Sequence, residues 1–434
     1  MNERDSEAIA GMLAGQGYSI VDRESDADIL IFNTCSVREQ AERKAVGKIG
    51  IMKKQKKRKP HLIIGAMGCM AQNLGEQLLK DLPHLDFVIG TGQLHKLPEV
   101  LNSIIEERKQ LYLLTDGKDV LTSMGTHYQM TDEKEYKASI AITRGCNRFC
   151  SYCIVPHVRG REISREINDV VVEAKELAAN GVREIMLLGQ NVAAFGLDGD
   201  TNPPPDGVSP FADLLTELNK IEGLCRIRFV SPYPSYFNDK LIDTLGSLDK
   251  VCHNIHLPLQ SGSDRILQKM NRQYTAKQYL EIVDKLRKSM PDASFSTDII
   301  IGFPGETDED FNATHEIMKK VGYMNAFIFK YSPRSGTPAA DMEDQIPQSI
   351  KEKRNQILLK ELGIYTLSKN ASYVDSVQEV LVEGPSRRNK KRWAGKMDSS
   401  QVVIFDPAST TERGQLVKVK ITRSTSASLF GELV

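Results

Sequence analysis

At 434 residues the chain is too long for one ordinary core, and two or three domains are expected, each able to fold without disulfide staples. Its 57 Lys and Arg residues balance 57 Asp and Glu, which excludes a broadly cationic nucleic-acid-binding surface, and no uninterrupted apolar run reaches membrane-spanning length. The polar start Met1-Asn-Glu-Arg-Asp-Ser-Glu and an odd number of cysteines, seven, point to a cytoplasmic protein that uses thiolates as ligands and has no membrane attachment.

Residues 1–125 read as a small, Rossmann-like parallel α/β layer. Asp5 to Leu13 is an expected helix, Asp28 to Phe32 a strand, Val37 to Lys54 a helix, and His61 to Ile64 and Phe87 to Gly90 are further strands. Ligands of such sheets gather beyond the carboxyl ends of the strands, where Cys35 and Cys69 are expected, and Gly65 and Gly68 would let the backbone approach a bulky ligand. The chain opens on a helix where a doubly wound unit ordinarily opens on a strand, so a first strand is expected to be missing from this sequence. The cluster Lys53-Lys-Gln-Lys-Lys-Arg-Lys59 reads as the solvated end of a helix.

From about 137 to 345 the alternation becomes regular, with strands at Ala138–Thr143, Glu184–Leu188, Arg226–Val230, Asn254–Leu257, Phe295–Ile301 and Ala326–Tyr331 and helices such as Asp169–Ala179 and Lys277–Lys288 between them. Six βα units imply a partial (βα)6, TIM-like barrel with its chemistry at the carboxyl ends of the strands. The polar and Gly-rich oddities fall there: Gly189-Gln190-Asn191, Ser231, Gln260-Ser261-Gly262-Ser263, Gly302-Phe-Pro-Gly-Glu306 and Tyr331-Ser-Pro-Arg334. The first strand leads into Gly145-Cys146-Asn-Arg-Phe-Cys150-Ser-Tyr-Cys153. Three thiolates on one loop can hold three corners of a four-iron cluster and leave the fourth iron open to a substrate. With His157 the same thiols could make a Cys3His zinc site, or they could be buried core cysteines, and spacing alone does not separate these readings. Cys225 and Cys252 lie beside apolar runs and read as small core residues.

A helix from Gln348 to about Lys369 leads to short alternating strands at Val377–Val382, Arg392–Gly395, Val402–Phe405 and Leu416–Ile421, the pattern of a small antiparallel β-barrel. Such barrels often bind RNA, and the cluster Arg387, Arg388, Lys390, Lys391 and Arg392 would give one hairpin phosphate-binding charge. Trp393 beside it could stack on a base or belong to the core.

The loop at Cys146, Cys150 and Cys153 resembles that of the radical S-adenosylmethionine (SAM) superfamily. Asn33-Thr-Cys-Ser-Val-Arg-Glu39, Gly189-Gln-Asn-Val192, His256-Leu-Pro-Leu-Gln-Ser-Gly-Ser263, Lys269-Met-Asn-Arg272 with Tyr274-Thr275, and Asp298-Ile-Ile-Ile-Gly-Phe-Pro-Gly-Glu-Thr307 look like the methylthiotransferases within it. Of these, Asn33–Glu39 and Lys269–Thr275 look most like the tRNA enzymes that methylthiolate isopentenyladenosine (MiaB-type), ahead of those acting on threonylcarbamoyladenosine or a ribosomal protein. The resemblance implies an N-terminal α/β domain over 1–125, a radical SAM barrel over 132–369 and a C-terminal TRAM barrel over 370–434. It implies one 4Fe-4S cluster on Cys146, Cys150 and Cys153 whose open iron chelates SAM, and a 5′-deoxyadenosyl radical that takes hydrogen from C2 of the adenine. A second, auxiliary 4Fe-4S cluster would carry the sulfur, with a second SAM supplying the methyl group.

In the family this auxiliary cluster uses three cysteines, of which Cys35 and Cys69 match the second and third. Relatives usually read Gly-Cys-Gln-Met-Asn before the Asp-Ser-Glu helix, and this chain begins at that Met-Asn, so the first of the three cysteines is expected to be absent through a late start or a cut record. Tyr152 is expected near the adenine of SAM, and Gln190, Asn191, Gln260, Ser261 and Asp298 are the candidates for polar contacts with SAM and substrate. The expected partners are a tRNA, an external electron donor and an unidentified sulfur source, with the protein a monomer. The reading from another class is a zinc-bearing RNA-binding protein, colourless where an iron–sulfur enzyme would be brown.

Overall fold

Parallel strands buried on both faces need apolar residues at successive positions, and the first sheet is built from such runs. The computed structural model describes residues 1–36, 39–107, 109–114, 135–198 and 204–434. They fall into two compact units: Met1–Glu133 with Ile140–Arg165 and Arg334–Thr337, and Lys134–Ser139 with Glu166–Pro333 and Pro338–Val434. The expected boundary between 125 and 132 lies outside the described residues, as do Val37 and Arg38 of the Asn33–Glu39 motif.

In the first unit β1 (Ile29–Thr34), β2 (Ile63–Gly68), β3 (Phe87–Ile89) and β4 (Leu111–Leu113) form a parallel sheet in that order. Side chains alternate across it. Ile64 and Ala66 join Ile49 and Met52 of α2 (Glu39–Arg58) on one face, while Ile63 and Met67 join Ile9 and Leu13 of α1 (Asn2–Ala14) on the other. The strand expected to stop at Ile64 runs on to Gly68, and within it a Cβ at Gly65 would lie 2.0 Å from the Phe87 ring. Gly65 therefore serves the core rather than a ligand. Short helices α3 (Cys69–Leu74) and α4 (Glu76–Asp81) follow β2, and α5 (Leu97–Glu107), which with β4 was not expected, covers the α1 face.

This unit also holds the cysteine loop. β5 (Lys137–Ala141) brings the chain in, and the two-residue strands β6 (Thr143–Arg144) and β7 (Ile163–Ser164) pair antiparallel to close the loop at its base. A five-residue helix, α6 (Val155–Arg159), follows the third cysteine.

The second unit contains β8 (Glu184–Leu188), β9 (Arg226–Phe229), β10 (Asn254–His256), β11 (Ser294–Ile301) and β12 (Asn325–Lys330). The sheets β5-β8-β9 and β10-β11-β12 are joined by a parallel bridge from Ile227 to Val251, which gives the partial barrel expected from six βα units. Helix starts are capped where the sequence offers a hydroxyl: Thr275 with Gln278 and Thr307 with Asp310 form capping boxes, and Ser263 caps Asp264–Lys269.

The final strands, β13 (Val377–Pro385), β14 (Trp393–Lys396), β15 (Val402–Phe405), β16 (Leu416–Ser424) and β17 (Leu429–Leu433), close into a small barrel around Val380, Val382, Val403, Phe405, Val419 and Ile421. The unexpected β17 completes it by pairing parallel with β15 and antiparallel with β16. This barrel sits against the amino ends of β8 and β9, away from the polar rim. Arg226 Nη1 donates to the Lys396 carbonyl at 2.6 Å, and Arg228 donates to the Met397 and Asp398 carbonyls and Ser400 Oγ at 2.6–2.9 Å. Arg228 Nε also holds Glu184 at 3.0 Å, so charges buried inside apolar strands serve this docking.

Candidate iron–sulfur and SAM site

Cys146 and Cys150 are buried, Cys153 is half-buried, and none of the three is in a disulfide. Gly145, at φ +70°, makes the turn into the loop, and a Cβ there would stand 1.9 Å from the Arg161 carbonyl. Cys146 N–H donates to the Gly160 carbonyl at 3.1 Å, and Arg148 N–H donates to Cys146 Sγ at 3.3 Å. Burial pushes the Cys146 thiol up to about 12 against the opposing pull of that N–H, so cationic metal is what would make it a thiolate at neutral pH.

A single zinc ion would draw its sulfur ligands to about 4 Å from one another, since each Zn–S bond is about 2.3 Å. Among the described residues, the group of three ligating atoms within 4.8 Å of one another is His253, Asp292 and Asp398, not the loop thiols, and His157 is exposed. The donor set fits a cluster, in which each thiolate takes a different iron, better than one shared ion.

Cys35 and Cys69 come together as the sheet requires. Thr34 pairs with Gly68 across β1 and β2, and each cysteine is the next residue, so both leave the same carboxyl edge on adjacent strands. Gly68, at φ +96°, turns the chain there, and a Cβ would lie 2.6 Å from the Thr34 carbonyl. Cys69 is 2% exposed and packs against Ile154 and Val158 of the cysteine loop. Burial pushes its thiol up, the Arg159 guanidinium beside it pulls down, and Cys35 pushes up again. Sequence reading missed Arg159, which is 4% exposed and donates through Nη2 to Asp5 Oδ2 and Asn2 Oδ1, both at 2.9 Å. A charged residue six positions after Cys153 was the available signal. Tyr152 is half-buried on the same loop.

The second unit holds the rim candidates. Gln190 is half-buried. Asn191, 1% exposed, accepts from Tyr233 N–H at 2.9 Å through Oδ1, while its Nδ2 has no partner among the described residues. Gln260 adopts φ +66° and Ser231 φ +59°, left-handed conformations that non-glycine residues keep mainly at functional sites. Ser261 is fully buried and accepts from Ser263 N–H at 3.2 Å, so its hydroxyl turns inward. Asp298 pairs with Phe327 across β11 and β12, and its Oδ2 lies 3.4 Å from His256 Nε2. Phe327 is 44% exposed and its ring meets that of His256 in a T-shaped pair, giving this face carboxylate, imidazole and aromatic groups together. Glu306 is committed elsewhere, accepting from Gly302 N–H at 2.7 Å and pairing with Arg354.

On the small barrel, Arg387, Arg388, Lys390 and Lys391 are exposed between β13 and β14. Arg392 is partly neutralised by Asp406 at 3.0 Å, and Trp393 is half-buried against the barrel core. The other basic run differs: Lys56 pairs with Asp86 and Lys59 Nζ donates to the Ser25 carbonyl, tying the end of α2 to its own domain.

Residues 140–318 match the radical SAM superfamily, residues 1–90 an uncharacterized protein family, UPF0004, and residues 371–434 the TRAM domain. The chain is 44% identical to the tRNA-2-methylthio-N(6)-dimethylallyladenosine synthase of Opitutus terrae over 100% of this chain and 95% of that one. It is also 44% identical to that of Akkermansia muciniphila, over 99% and 96%. A radical SAM methyltransferase from Kitasatospora setae, TsrM, shares the fold at a TM-score of 0.57 and 16% identity, over 78% of this chain and 72% of that one. The barrel with its three-cysteine loop thus defines a radical SAM protein. Within that class the chain belongs to the family of tRNA-2-methylthio-N(6)-dimethylallyladenosine synthases and is accordingly an enzyme, a transferase that depends on SAM and an iron–sulfur cluster.

Proposed function

We propose that this enzyme places a methylthio group on C2 of N6-dimethylallyladenosine in tRNA, the reaction in its relatives' names. The observation that carries the reading is the pairing of two thiol sites in one unit, a three-cysteine loop and a strand-edge pair packed against it. Cys146, Cys150 and Cys153 would hold a four-iron cluster that, with SAM bound, supplies the one-electron chemistry an unactivated C2–H requires and side-chain acids and bases cannot deliver. Cys35 and Cys69 would supply thiolates to a second, sulfur-carrying cluster. Tyr152, Gln190, Gln260 and Asp298 would orient SAM and the base, with Asn191 and Ser261 fixing the loops that carry them. Arg387, Arg388, Lys390, Lys391 and Arg392 would bind tRNA phosphates.

The same reading divides the chain at 1–125, 132–369 and 370–434. It makes the enzyme a cytoplasmic monomer served by an external electron donor and a separate sulfur source. Among the described residues no helix is long and apolar enough to cross a membrane. Mass spectrometry of nucleosides from tRNA incubated with reconstituted protein, reductant and SAM tests the function. The 2-methylthio derivative is expected, and its absence from a sample whose protein cleaves SAM would overturn the assignment.

A further inference from the structure

An aromatic ring turned into a small barrel serves its core, whereas one turned outward leaves a flat apolar face for something else to cover. Trp393 is of the first kind, packed against the barrel core. Phe430 is of the second: Leu429 and Gly431 on either side of it are buried, so strand alternation turns its half-buried ring to the outer face of β17. There it pairs with Ile404 of β15 and with Arg423 of β16, which sets the three residues in one row across adjacent strands. The Arg423 guanidinium lies over the ring, 3.8 Å from its centroid, and that of Arg392 approaches the same ring at 5.8 Å. Arg392 is held by Asp406, but among the described residues no carboxylate pairs with the exposed Arg423. One arginine stem is enough to shield an apolar ring, and two cations gathered on it are a cost that a bound anion removes. The exposed Arg387, Arg388, Lys390 and Lys391 lead the chain into Arg392, so positive charge runs from the hairpin to the ring. A planar cation stacked on an aromatic ring at the end of a basic strip is what a single strand requires, with phosphates along the charge and a base on the stack.

We propose that Phe430 and Arg423 form a stacking platform for an unpaired base of RNA, with Arg392 and the hairpin before it holding the neighbouring phosphates. The proposal rests on the reading that this enzyme binds tRNA, and adds to the phosphate contacts of the barrel a place where it meets a base. Stacking tolerates any base, so the platform recognises that a base is unpaired rather than which base it is. It thereby distinguishes the loops of a tRNA from its stems.

The test is filter binding of the full-length protein to three RNAs: a tRNA bearing N6-dimethylallyladenosine, an unstructured oligoribonucleotide and a fully paired RNA duplex, each at several salt concentrations. Phe430→Leu keeps an apolar side chain in the strand and removes the ring, and Phe430→Tyr keeps the ring. Phe430→Leu is expected to weaken binding of the tRNA and the oligoribonucleotide by about tenfold, with the salt slope and the affinity for the duplex unchanged. Phe430→Tyr is expected to bind all three like the parent. Should Phe430→Leu fail to fold, Arg423→Gln carries the test, weakening the two RNAs with unpaired bases more than the duplex. Parent-like affinity of the folded Phe430→Leu or Arg423→Gln protein for the oligoribonucleotide, or an equal loss for all three RNAs, would overturn the platform. A parent protein that binds the oligoribonucleotide through Phe430 but does not bind the tRNA would instead overturn the tRNA reading and leave the platform standing, and one that binds neither would overturn both.

Discussion

The two thiol sites are built in opposite ways. Cys146, Cys150 and Cys153 lie within one loop, closed by the β6–β7 ladder and turned by Gly145, so their geometry is almost wholly local. Cys35, Cys69 and Arg159 come from three distant parts of the chain and meet because β1 and β2 pair in one register and α6 packs on Cys69. A local site survives in the sequence as a motif. A site assembled by the sheet survives only as scattered residues whose meaning appears once the strands are paired.

The largest effect expected from breaking this division is at the loop. Cys146→Ala, Cys150→Ala and Cys153→Ala should each reduce reductive SAM cleavage to background, because removing one thiolate from this three-ligand loop should unseat its cluster. Measurement of 5′-deoxyadenosine checks this, and near-normal formation by any one of them would return these cysteines to a structural role.

Glycine substitutions sharpen the comparison one step down in size. Gly145→Ala forces a Cβ onto the Arg161 carbonyl, and Gly68→Ala forces one onto the Thr34 carbonyl, both at positive φ. Each strain is on the order of 1–3 kcal/mol before the collision is counted. The first should lower the iron retained by the loop while sparing the strand-edge site, and the second should do the reverse. Iron analysis of each change in proteins carrying only one set of cysteines distinguishes them, and loss at both sites from either change would contradict separate construction.

The regular βα elements were legible to within a few residues, because their apolar periodicity is also what buries them. What was not legible had tertiary causes. Gly65 reads as room for a ligand, yet it lies within a strand where Phe87 occupies the space a side chain would need. Glu184, Arg226 and Arg228 read as charges inside strands, and their reason is the small barrel docked on those strand ends. Ser261 shares a word with Gln260 but turns into the protein, and no local pattern distinguishes the two.

The smallest effect on the thiol sites is expected from the small barrel. Reversing charge at Arg387, Arg388, Lys390 and Lys391 should leave tRNA-independent SAM cleavage unchanged while reducing the salt slope of tRNA binding by about 0.9 for each phosphate no longer neutralised. The same change at Lys53, Lys54, Lys56 and Lys57 should alter that slope less, and filter binding at several salt concentrations compares the two. An unchanged slope in the first variant would move tRNA recognition elsewhere.

The division of labour between the sites is tested most directly by quantifying 5′-deoxyadenosine and the 2-methylthio nucleoside in one reaction of Cys69→Ala with SAM, reductant and tRNA. The account predicts SAM cleavage without the sulfur-bearing product. Product at the wild-type rate would contradict it.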